Sequence, residues 1–550
     1  MLRKRIAALV CAAALTAACT VTLSDSRLVP AAYAAGAITK TQDCQSSDNS
    51  IYTANHIYGN QEKTKRSYLY QSGENQVTRV EFITTSTETV DLYDLDTGYV
   101  LVEDIDMTTG KLIKSRKLDL SQSTFLPLFG AFYVGENYIF VVTGQKNLSE
   151  SDDQNVIAVT RITKDFKSYK TKILKGRNTY VPFKAGSCKM AEAGGKLYIH
   201  TCHQMYQSSD GLRHQMNMSY VFDIESMTFD QEYYKVEWHF DDAPFPFVSH
   251  SFDQYLLTDG SAVYSYDHGD ANPRALTLSK YDLSTKTRTD SEIVDIPSAK
   301  SNTSYNYTGV LTGGMALSKN NVLISAKMAD MTASELDNYY DLKDICVAVY
   351  PKSSIGTSAK AKIVNLTNYT NKAQSEGSTG RRNSAPQLVK INDNKFLVMW
   401  KECTGNTRWY YTGDNKDGVT KLAVIDGSGS LIGKVTELDA DIQLSECDPV
   451  LCSDGMVRWY TASGSAPTLY ALDPDDPTDF SDGKVTRVPG DLDGDGKVTL
   501  KDGLLIKQHL AQWNVKINES NADVDGDGKV TLKDALLLCQ YLANWKVTLK

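Results

Sequence analysis

Two acidic segments near the carboxyl end of the chain have the residue types and the spacing of metal-binding loops. Each places oxygen donors at positions 1, 3, 5, 7, 9 and 12 of a twelve-residue loop, the arrangement that EF-hands use for Ca²⁺. In the first segment the donors are Asp491, Asp493, Asp495, the carbonyl of Lys497, Thr499 and Asp502. In the second they are Asp523, Asp525, Asp527, the carbonyl of Lys529, Thr531 and Asp534. Calcium prefers oxygen ligands, so the spacing predicts a calcium site in each loop.

The two segments are copies of one another. Residues 491–513 and 523–545 agree at 17 of 23 positions at an offset of 32, which marks an internal duplication. Each loop is followed by a Leu-rich stretch that predicts a helix. Because four carboxylates in one loop repel one another without a cation, we expect the calcium-free segment to be partly unfolded.

The loops depart from a general EF-hand in two ways. The last ligand is Asp rather than Glu, and Val488-Pro489-Gly490 would break any helix before the first loop. A duplicated loop and helix at the end of a multidomain chain resembles the dockerin family of cellulosomal proteins, over residues 489–550. The resemblance implies two calcium ions and tight binding to a cohesin on a scaffoldin or cell-surface protein.

The same resemblance points to the residues that would contact the cohesin. Family members use loop positions 10 and 11, which are Leu500, Lys501, Leu532 and Lys533 in this chain. An exposed Leu beside a Lys is an apolar anchor with a charged rim. Positions further along each helix are 507–508 in the first copy and 539–540 in the second. The near-symmetry would let either copy face the partner, and the type of cohesin stays open.

Polar residues that could act on a glycan are densest between residues 200 and 274. They are His200, His203, Asp210, Arg213, His214, His250, Asp253, Asp267, His268, Asp270 and Arg274. Histidine beside Asp and Arg can serve as a general base with a carboxylate-stabilising clamp, as in a polysaccharide lyase. Paired carboxylates such as Asp267 and Asp270 can instead flank a glycosidic bond. The alternative is that these groups form hydrogen bonds that tie neighbouring strands and turns together.

Short strands with alternating apolar residues must position these groups, because residues 45–475 show no helical periodicity. One hairpin pattern recurs seven times, with turns at Gly73, Gly135, Gly195, Gly260, Asn321, Asn394 and Gly455. Repeats of about 62 residues fill this region with seven four-stranded sheets. We therefore predict an all-β seven-bladed β-propeller over residues 35–472, plus a small α-helical, duplicated EF-hand-like dockerin domain. Two tandem β-sandwiches are the alternative, and the propeller resembles no named family.

The first 34 residues read as a signal peptide. Arg3, Lys4 and Arg5 precede an apolar run, and Ala32-Tyr33-Ala34 forms a small-x-small cleavage site. Acylation at Cys19, as in a lipoprotein, is the alternative. No other segment is apolar over the length that a membrane span needs. Residues 473–488 are rich in Pro and acidic residues and predict a short extended linker.

Composition narrows the class of protein further. The formal net charge is -9 and the basic residues are scattered, which argues against nucleic-acid binding. The cysteines match no zinc-site spacing. Cys188 and Cys202 flank the Gly194-Gly195 turn and are the candidate disulfide.

These patterns together predict a secreted, extracellular protein that docks to a scaffoldin in a cellulosome-like complex. The propeller would then serve plant polysaccharide binding or degradation. One alternative is that the propeller is itself a glycoside hydrolase or polysaccharide lyase, although no catalytic motif is identified. A second is a protein-binding assembly factor.

Overall fold

The computed structural model of the chain describes residues 36–477 except for 50–64, 85–97, 123, 185, 234–244, 302–306, 338–340, 370–378, 407–417 and 440. It also describes residues 489–549 except for 494–497, 514, 516, 526–528 and 544. Residues 35–484 form one compact unit, and residues 485–550 belong to another. The predicted signal peptide and most of the predicted linker lie outside the described residues. No helix in the described ranges has the length and apolar character needed to cross a membrane.

The larger unit is a seven-bladed β-propeller, which confirms the prediction from the recurring hairpins. It begins with β1 (Gly36–Lys40) and β2 (Ser47–Asp48). The first three blades contain β3 (Ser67–Gly73), β4 (Gln76–Thr84), β5 (Gly98–Asp106), β6 (Leu112–Asp119), β7 (Leu128–Val134), β8 (Tyr138–Gly144), β9 (Asn155–Thr163), β10 (Tyr169–Lys175), β11 (Thr179–Pro182), β12 (Lys189–Ala193), β13 (Lys196–Met205), β14 (Gln215–Asp223) and β15 (Thr228–Tyr233).

The remaining blades repeat this antiparallel order. Blades four to six contain β16 (Ser251–Thr258), β17 (Ala262–Gly269), β18 (Ala275–Asp282), β19 (Arg288–Asp295), β20 (Val310–Leu317), β21 (Asn321–Met328), β22 (Asp344–Pro351), β23 (Lys362–Asn365), β24 (Thr379–Asn383), β25 (Gln387–Asn392), β26 (Lys395–Asn406), β27 (Val419–Ile425) and β28 (Leu431–Glu437), with a 3₁₀ turn at Lys352–Ser354. The end of the propeller contains β29 (Val450–Leu451), β30 (Val457–Thr461), β31 (Ser463–Ser465) and β32 (Thr468–Leu472).

The two ends of the propeller sequence meet in the seventh blade. Its strand order is β1-β32-β30-β29, so the first strand of the propeller supplies the outermost strand of its last blade. The antiparallel register runs from Gly36 opposite Leu472 to Lys40 opposite Thr468. A further pair, β2 with β31, joins the same two ends. These pairings hold the two ends of the propeller sequence together and close the ring of blades.

The seven predicted turns lie between the first and second strands of the seven blades. Gly260 illustrates the local reason, because its φ of +85° falls in a region that a side chain makes costly. The second strands are buried on both faces, and every residue of β17 is buried. Outer strands such as β28 are mostly exposed. This gradient is expected when blades stack face to face around a ring.

Apolar clusters fill the contacts between successive blades, including the contact between the seventh and the first. Blade packing is close enough to restrict some positions to glycine. A Cβ on Gly313 of β20 would lie 2.1 Å from the carbonyl oxygen of Pro386 in the next blade. Such an approach fixes the spacing of the fifth and sixth blades.

The smaller unit contains α1 (Leu500–Leu510), α2 (Glu519–Ala522) and α3 (Leu532–Leu542). The helices α1 and α3 follow the two acidic loops, as the duplication predicted. Thr499 caps α1 and Thr531 caps α3, each in a reciprocal capping box with the Asp three residues later. The core of the unit is formed by Leu492, Ile506, Ala522, Ala535 and Leu538.

The predicted disulfide between Cys188 and Cys202 is wrong, because both are free thiols. The hairpin itself is present, but its register pairs Lys189 with His200. This register brings Cys188 beside Thr201 instead of Cys202. Residues one apart in a strand point to opposite faces of the sheet, so the two sulfurs cannot bond. Burial raises the pKa of the Cys188 thiol to about 12 and keeps it protonated.

Candidate metal centre and docking surface

The first acidic loop brings three carboxylates together. Oxygen atoms of Asp491, Asp493 and Asp502 all lie within 4.8 Å of one another, although they are up to 11 positions apart in sequence. Asp502 is fully buried and is held from both sides. Its Oδ1 accepts hydrogen bonds from the backbone N–H of Leu492 at 2.8 Å and of Asp493 at 3.2 Å. Its Oδ2 accepts from the Thr499 backbone at 2.8 Å and hydroxyl at 2.9 Å.

The second loop repeats this geometry. Oxygen atoms of Asp523, Asp525 and Asp534 again lie within 4.8 Å of one another. Asp534 accepts from the backbone N–H of Asp525 at 3.2 Å, and from the Thr531 backbone at 2.8 Å and hydroxyl at 2.9 Å. The sequence duplication is therefore a structural duplication, and the last ligand position of each loop is locked to the start of its helix.

A cation bound in each loop would offset the repulsion between its carboxylates. At an effective dielectric constant near 20, two like charges about 4 Å apart repel by about 4 kcal/mol. One positive group is close in each loop, since Lys501 Nζ lies 2.7 Å from Asp493 Oδ2 and Lys533 Nζ lies 2.5 Å from Asp525 Oδ2. The three side chains that each loop brings together offer carboxylate oxygens, which fits a hard cation such as Ca²⁺ and not a thiolate- or imidazole-seeking metal.

The structure describes only some of the remaining predicted ligands. Asp495, Lys497 and Asp527 lie outside the described residues, and Lys529 is described as exposed. The Thr499 hydroxyl donates to Asp502 and accepts from the Lys501 backbone N–H at 3.2 Å. A hydroxyl oxygen has two lone pairs, so one remains for a metal ion or a bridging water.

An apolar surface lies beside these loops. The predicted cohesin contacts Leu500 and Leu532 are 63% and 79% exposed. Leu504 and Leu536, one helical turn further on, are 43% and 59% exposed. Positions four apart share one helix face, so each copy presents a pair of leucines to solvent. We call the pair on each copy, Leu500 with Leu504 or Leu532 with Leu536, the leucine face of that copy.

The leucine face is only partly predicted from the sequence. The sequence reasoning did not predict that Leu504 and Leu536 are exposed beside the contacts. Both are Leu at the same position of the two copies, four residues after a predicted cohesin contact, and this spacing could have indicated them. Trp513 and Trp545, also a matching pair, are 63% and 61% exposed. Large apolar side chains repeated on the surface of both copies indicate an interaction surface.

The histidine-rich region of the propeller is divided by burial. Six members are buried: His200, His203, Asp253, Asp267, His268 and Asp270. His200 links the third and fourth blades, since its Nε2 lies 2.9 Å from Asp267 Oδ2. Asp267 also accepts from Ser251 Oγ at 2.7 Å and from Asn217 Nδ2 at 3.1 Å. Asp267 and Asp270 are therefore not positioned to flank a glycosidic bond at the surface. The buried members favour the alternative that these groups form hydrogen bonds that tie neighbouring strands and turns together.

Burial also fixes the protonation of two of these histidines. Desolvation lowers the pKa of His203 to about 3. Desolvation, reinforced by the charge of Arg274, lowers the pKa of His268 to about 3. Both imidazoles are neutral at pH 7 and shielded from solvent, so neither can exchange a proton with a surface-bound substrate.

Other members of the cluster make polar contacts at or near the surface. His214 Nε2 lies 2.7 Å from Asp210 Oδ2, and its ring faces that of His250 with centroids 6.4 Å apart. His250 Nδ1 lies 3.2 Å from Asp270 Oδ1. Arg213 pairs with Glu150 at 2.8 Å. The predicted cluster is thus divided between buried contacts within and between blades and a smaller group that links Asp210, His214, His250 and Asp270.

The fold and the loops define a class of protein, a β-propeller that carries a duplicated loop-and-helix module with an acidic cluster in each copy. Comparison with known families identifies the family that this module matches. Residues 489–543 match the family model described as the dockerin type I domain, which confirms the resemblance seen in the sequence. The search of curated proteins finds no match for the chain.

Solved structures with related folds are remote in sequence. An α-L-arabinanase of Penicillium chrysogenum complexed with arabinobiose is 9% identical, over 80% of this chain and 99% of the arabinanase, at a TM-score of 0.36. A member of the DUF4221 family from Bacteroides vulgatus is 9% identical, over 80% and 95% of the two chains, at a TM-score of 0.32. A mutant apocarotenoid oxygenase of Synechocystis is 10% identical and has a TM-score of 0.29, and the alignment covers 56% of this chain and 65% of the oxygenase.

Proposed function

We propose that this chain is exported and joins a cellulosome-like complex by calcium-dependent binding of its dockerin to a cohesin on a scaffoldin. The observation that carries the proposal is the pair of equivalent carboxylate triads, each locked to a helix that presents exposed leucines. The family match over residues 489–543 supports the same conclusion. Residues 1–34 would direct export, and residues 473–488 would link the propeller to residues 489–550.

Two calcium ions would organise the dockerin, one in each loop. In the first loop the ligands would be Asp491, Asp493, Asp495, the Lys497 carbonyl, Thr499 and Asp502. In the second they would be Asp523, Asp525, Asp527, the Lys529 carbonyl, Thr531 and Asp534. Bound calcium supplies the positive charge that lets each set of carboxylates stay together. Because Asp502 and Asp534 also cap α1 and α3, metal binding would fix the direction of both helices.

The cohesin would be held by the leucine face of either copy and its charged rim. Leu500 and Leu532 would be the apolar anchors, with Lys501 and Lys533 beside them. Both lysines are mostly exposed while their ammonium groups reach the loop carboxylates. The contact surface and the metal loops therefore share residues, which would make cohesin binding depend on calcium.

The propeller would bring plant polysaccharide binding or degradation to the complex. Dockerins attach working modules to a scaffold, and the fold is suited to presenting ligand sites on its loops. If the propeller degrades the polysaccharide, it would do so as a glycoside hydrolase or a polysaccharide lyase. The buried state of His203 and His268 argues against those two residues as its catalytic base.

Surface plasmon resonance with immobilised cohesins of different types tests the docking proposal. The full chain should bind at least one cohesin in CaCl₂ and lose binding in EGTA. Asp502→Asn/Asp534→Asn should bind weakly in both conditions, while Asp295→Asn, an exposed change on the propeller, should match the wild type. Equal binding with calcium and with chelator would contradict the proposal.

The role of the propeller is tested separately on plant polysaccharides. Reducing-sugar release and absorbance at 235 nm distinguish hydrolysis from lysis, and affinity electrophoresis detects binding without product. If Asp502→Asn/Asp534→Asn still captures scaffoldin fragments and no polysaccharide is bound or cleaved, the module is a protein-binding assembly factor and the polysaccharide proposal is wrong.

A further inference from the structure

A cleft of about 410 Å³ lies beside the outermost strand of the fourth blade, β19. Its second wall is the segment 357–360, which leads into β23 of the fifth blade. The two walls are joined by hydrogen bonds, from Ser291 Oγ to the Thr357 carbonyl at 3.2 Å and from the Ala361 backbone to the Ile293 carbonyl at 2.8 Å. The cleft is therefore preformed, and its volume is within the range of small-molecule sites, about 300–1,000 Å³.

One side of the cleft is apolar. Pro246, Phe247, Val248 and Pro273 line it, from the segment that enters β16 and the turn between β17 and β18. Proline and phenylalanine rings offer flat apolar surfaces. Such surfaces suit the C–H face of a sugar ring, which is the apolar side of an otherwise polar molecule.

The opposite side carries two carboxylates. Asp290 and Glu292 lie two residues apart on β19 and therefore point to the same face of the strand. Asp290 is held in place, since it accepts from Ser279 Oγ at 2.6 Å and from Arg288 Nε at 2.9 Å. An ionised carboxylate has about four lone-pair sites, so Asp290 retains acceptor capacity toward the cleft. Arg288 also donates to the Phe245 carbonyl at 3.0 Å, which ties the apolar wall to the acidic wall.

The charge of the cleft selects its ligand. Lys360 is the basic residue among the lining side chains, and its Nζ lies 2.6 Å from Asp295 Oδ1 and 2.9 Å from the Glu292 carbonyl. The positive charge of Lys360 is therefore largely offset by Asp295. The lining holds two carboxylates and four hydroxyls against one ammonium group, so the cleft favours a ligand that donates hydrogen bonds and carries no acidic group of its own.

We propose that this cleft is a subsite for a neutral sugar residue of a polysaccharide. The ring of the sugar packs against Phe247 and its neighbouring prolines, and its hydroxyls donate to Asp290 and Glu292. Uronic acid residues are excluded by repulsion from the two carboxylates. The inference rests on the proposed polysaccharide role of the propeller and adds the location and the charge class of the ligand.

Isothermal titration calorimetry of the full chain with cellohexaose, xylohexaose, arabinohexaose and tetragalacturonate tests this assignment. The wild type should bind at least one neutral hexasaccharide and should not bind tetragalacturonate. Glu292→Gln and Asp290→Asn should each weaken binding about tenfold, because a charge-assisted hydrogen bond becomes a neutral one. Phe247→Ala should weaken it through loss of the apolar wall.

The matched control is Glu437→Gln, because Glu437 is an exposed Glu on β28, the outer strand of the sixth blade. It should leave the affinity unchanged, and thermal unfolding should show that all the variants are folded. If the wild type binds a neutral glycan and Glu292→Gln, Asp290→Asn and Phe247→Ala all keep its affinity, the cleft is not the subsite while the polysaccharide role stands. Tetragalacturonate binding as tight as the neutral sugars would overturn the charge argument. If the wild type binds none of the four probes, both the subsite and the polysaccharide role are wrong.

Discussion

Replacing His268 with Gln should reduce the loss of propeller stability between pH 7 and pH 5. His268 is fully buried on β17, where its Nε2 lies 2.8 Å from Thr308 Oγ1 and its ring meets Phe252 edge to face. Burial, with the nearby charge of Arg274, lowers its pKa from 6.5 to about 3. A Gln side chain keeps a polar group near Thr308 but has no proton to gain in this range.

The sign follows from which state binds the proton. Below pH 6.5 the unfolded chain protonates this histidine, while the folded chain does so only near pH 3. The contribution of neutral, buried His268 to the free energy of unfolding is therefore fully present well above pH 6.5. It is lost progressively as the pH drops from 6.5 toward 3. At pH 5 the linkage relation gives a loss of about 2 kcal/mol from this one residue. Glu446 acts in the opposite direction, because burial raises the pKa of its carboxyl to about 7, but it is common to both proteins.

Urea unfolding at pH 7 and pH 5, followed by tryptophan fluorescence, measures the difference. Trp400 and Trp459 are buried in the propeller and report its unfolding. His268→Gln should lose about 2 kcal/mol less than the wild type between the two pH values. Leu431→Gln, an exposed change on β28 that alters no titratable group, is the control and should follow the wild type. The same loss in His268→Gln as in the wild type would refute the argument from burial.

Three further predictions concern other parts of the chain. Asp534→Asn should reduce calcium uptake from two ions to one by isothermal titration calorimetry, because the first loop stays intact. Leu500→Asp/Leu532→Asp should weaken cohesin binding at least about 30-fold by surface plasmon resonance, the loss expected for an anchor worth about 2 kcal/mol, whereas Leu431→Asp on the propeller should have no effect. Asp267→Ala should lower the free energy of urea unfolding by at least about 3 kcal/mol, because it removes the buried acceptor that His200, Ser251 and Asn217 share.

Much of the fold was predictable because its signals are local. A blade begins with a hairpin, and the residues that turn that hairpin are adjacent in sequence, as at Gly260. The number of blades follows from counting such turns. The pairing of β1 with β32 was not predictable, since Gly36 and Leu472 lie at opposite ends of the propeller sequence and neither strand carries a mark of its partner.

The histidine-rich region shows where sequence reasoning fails. His200 and His214 look alike in the sequence, yet one is buried in the contact between two blades and the other is paired at the surface. Sequence separation does not reveal which face of a strand meets the next blade. The cleft beside β19 was missed for the same reason, because its walls come from distant segments, with a separation of 43 positions from Phe247 to Asp290 and of 67 from Asp290 to Thr357.

The sequence by itself determined the acidic loops, the helices after them and the repeat of the propeller hairpins. In each case the interacting residues lie within a few turns or a single hairpin, so spacing along the chain is spacing in the fold. The tertiary structure alone decided which polar groups are buried, which leucines stay exposed, that Cys188 and Cys202 do not bond, and how the ring closes. Those outcomes depend on register and on contacts between blades, which chain order does not encode.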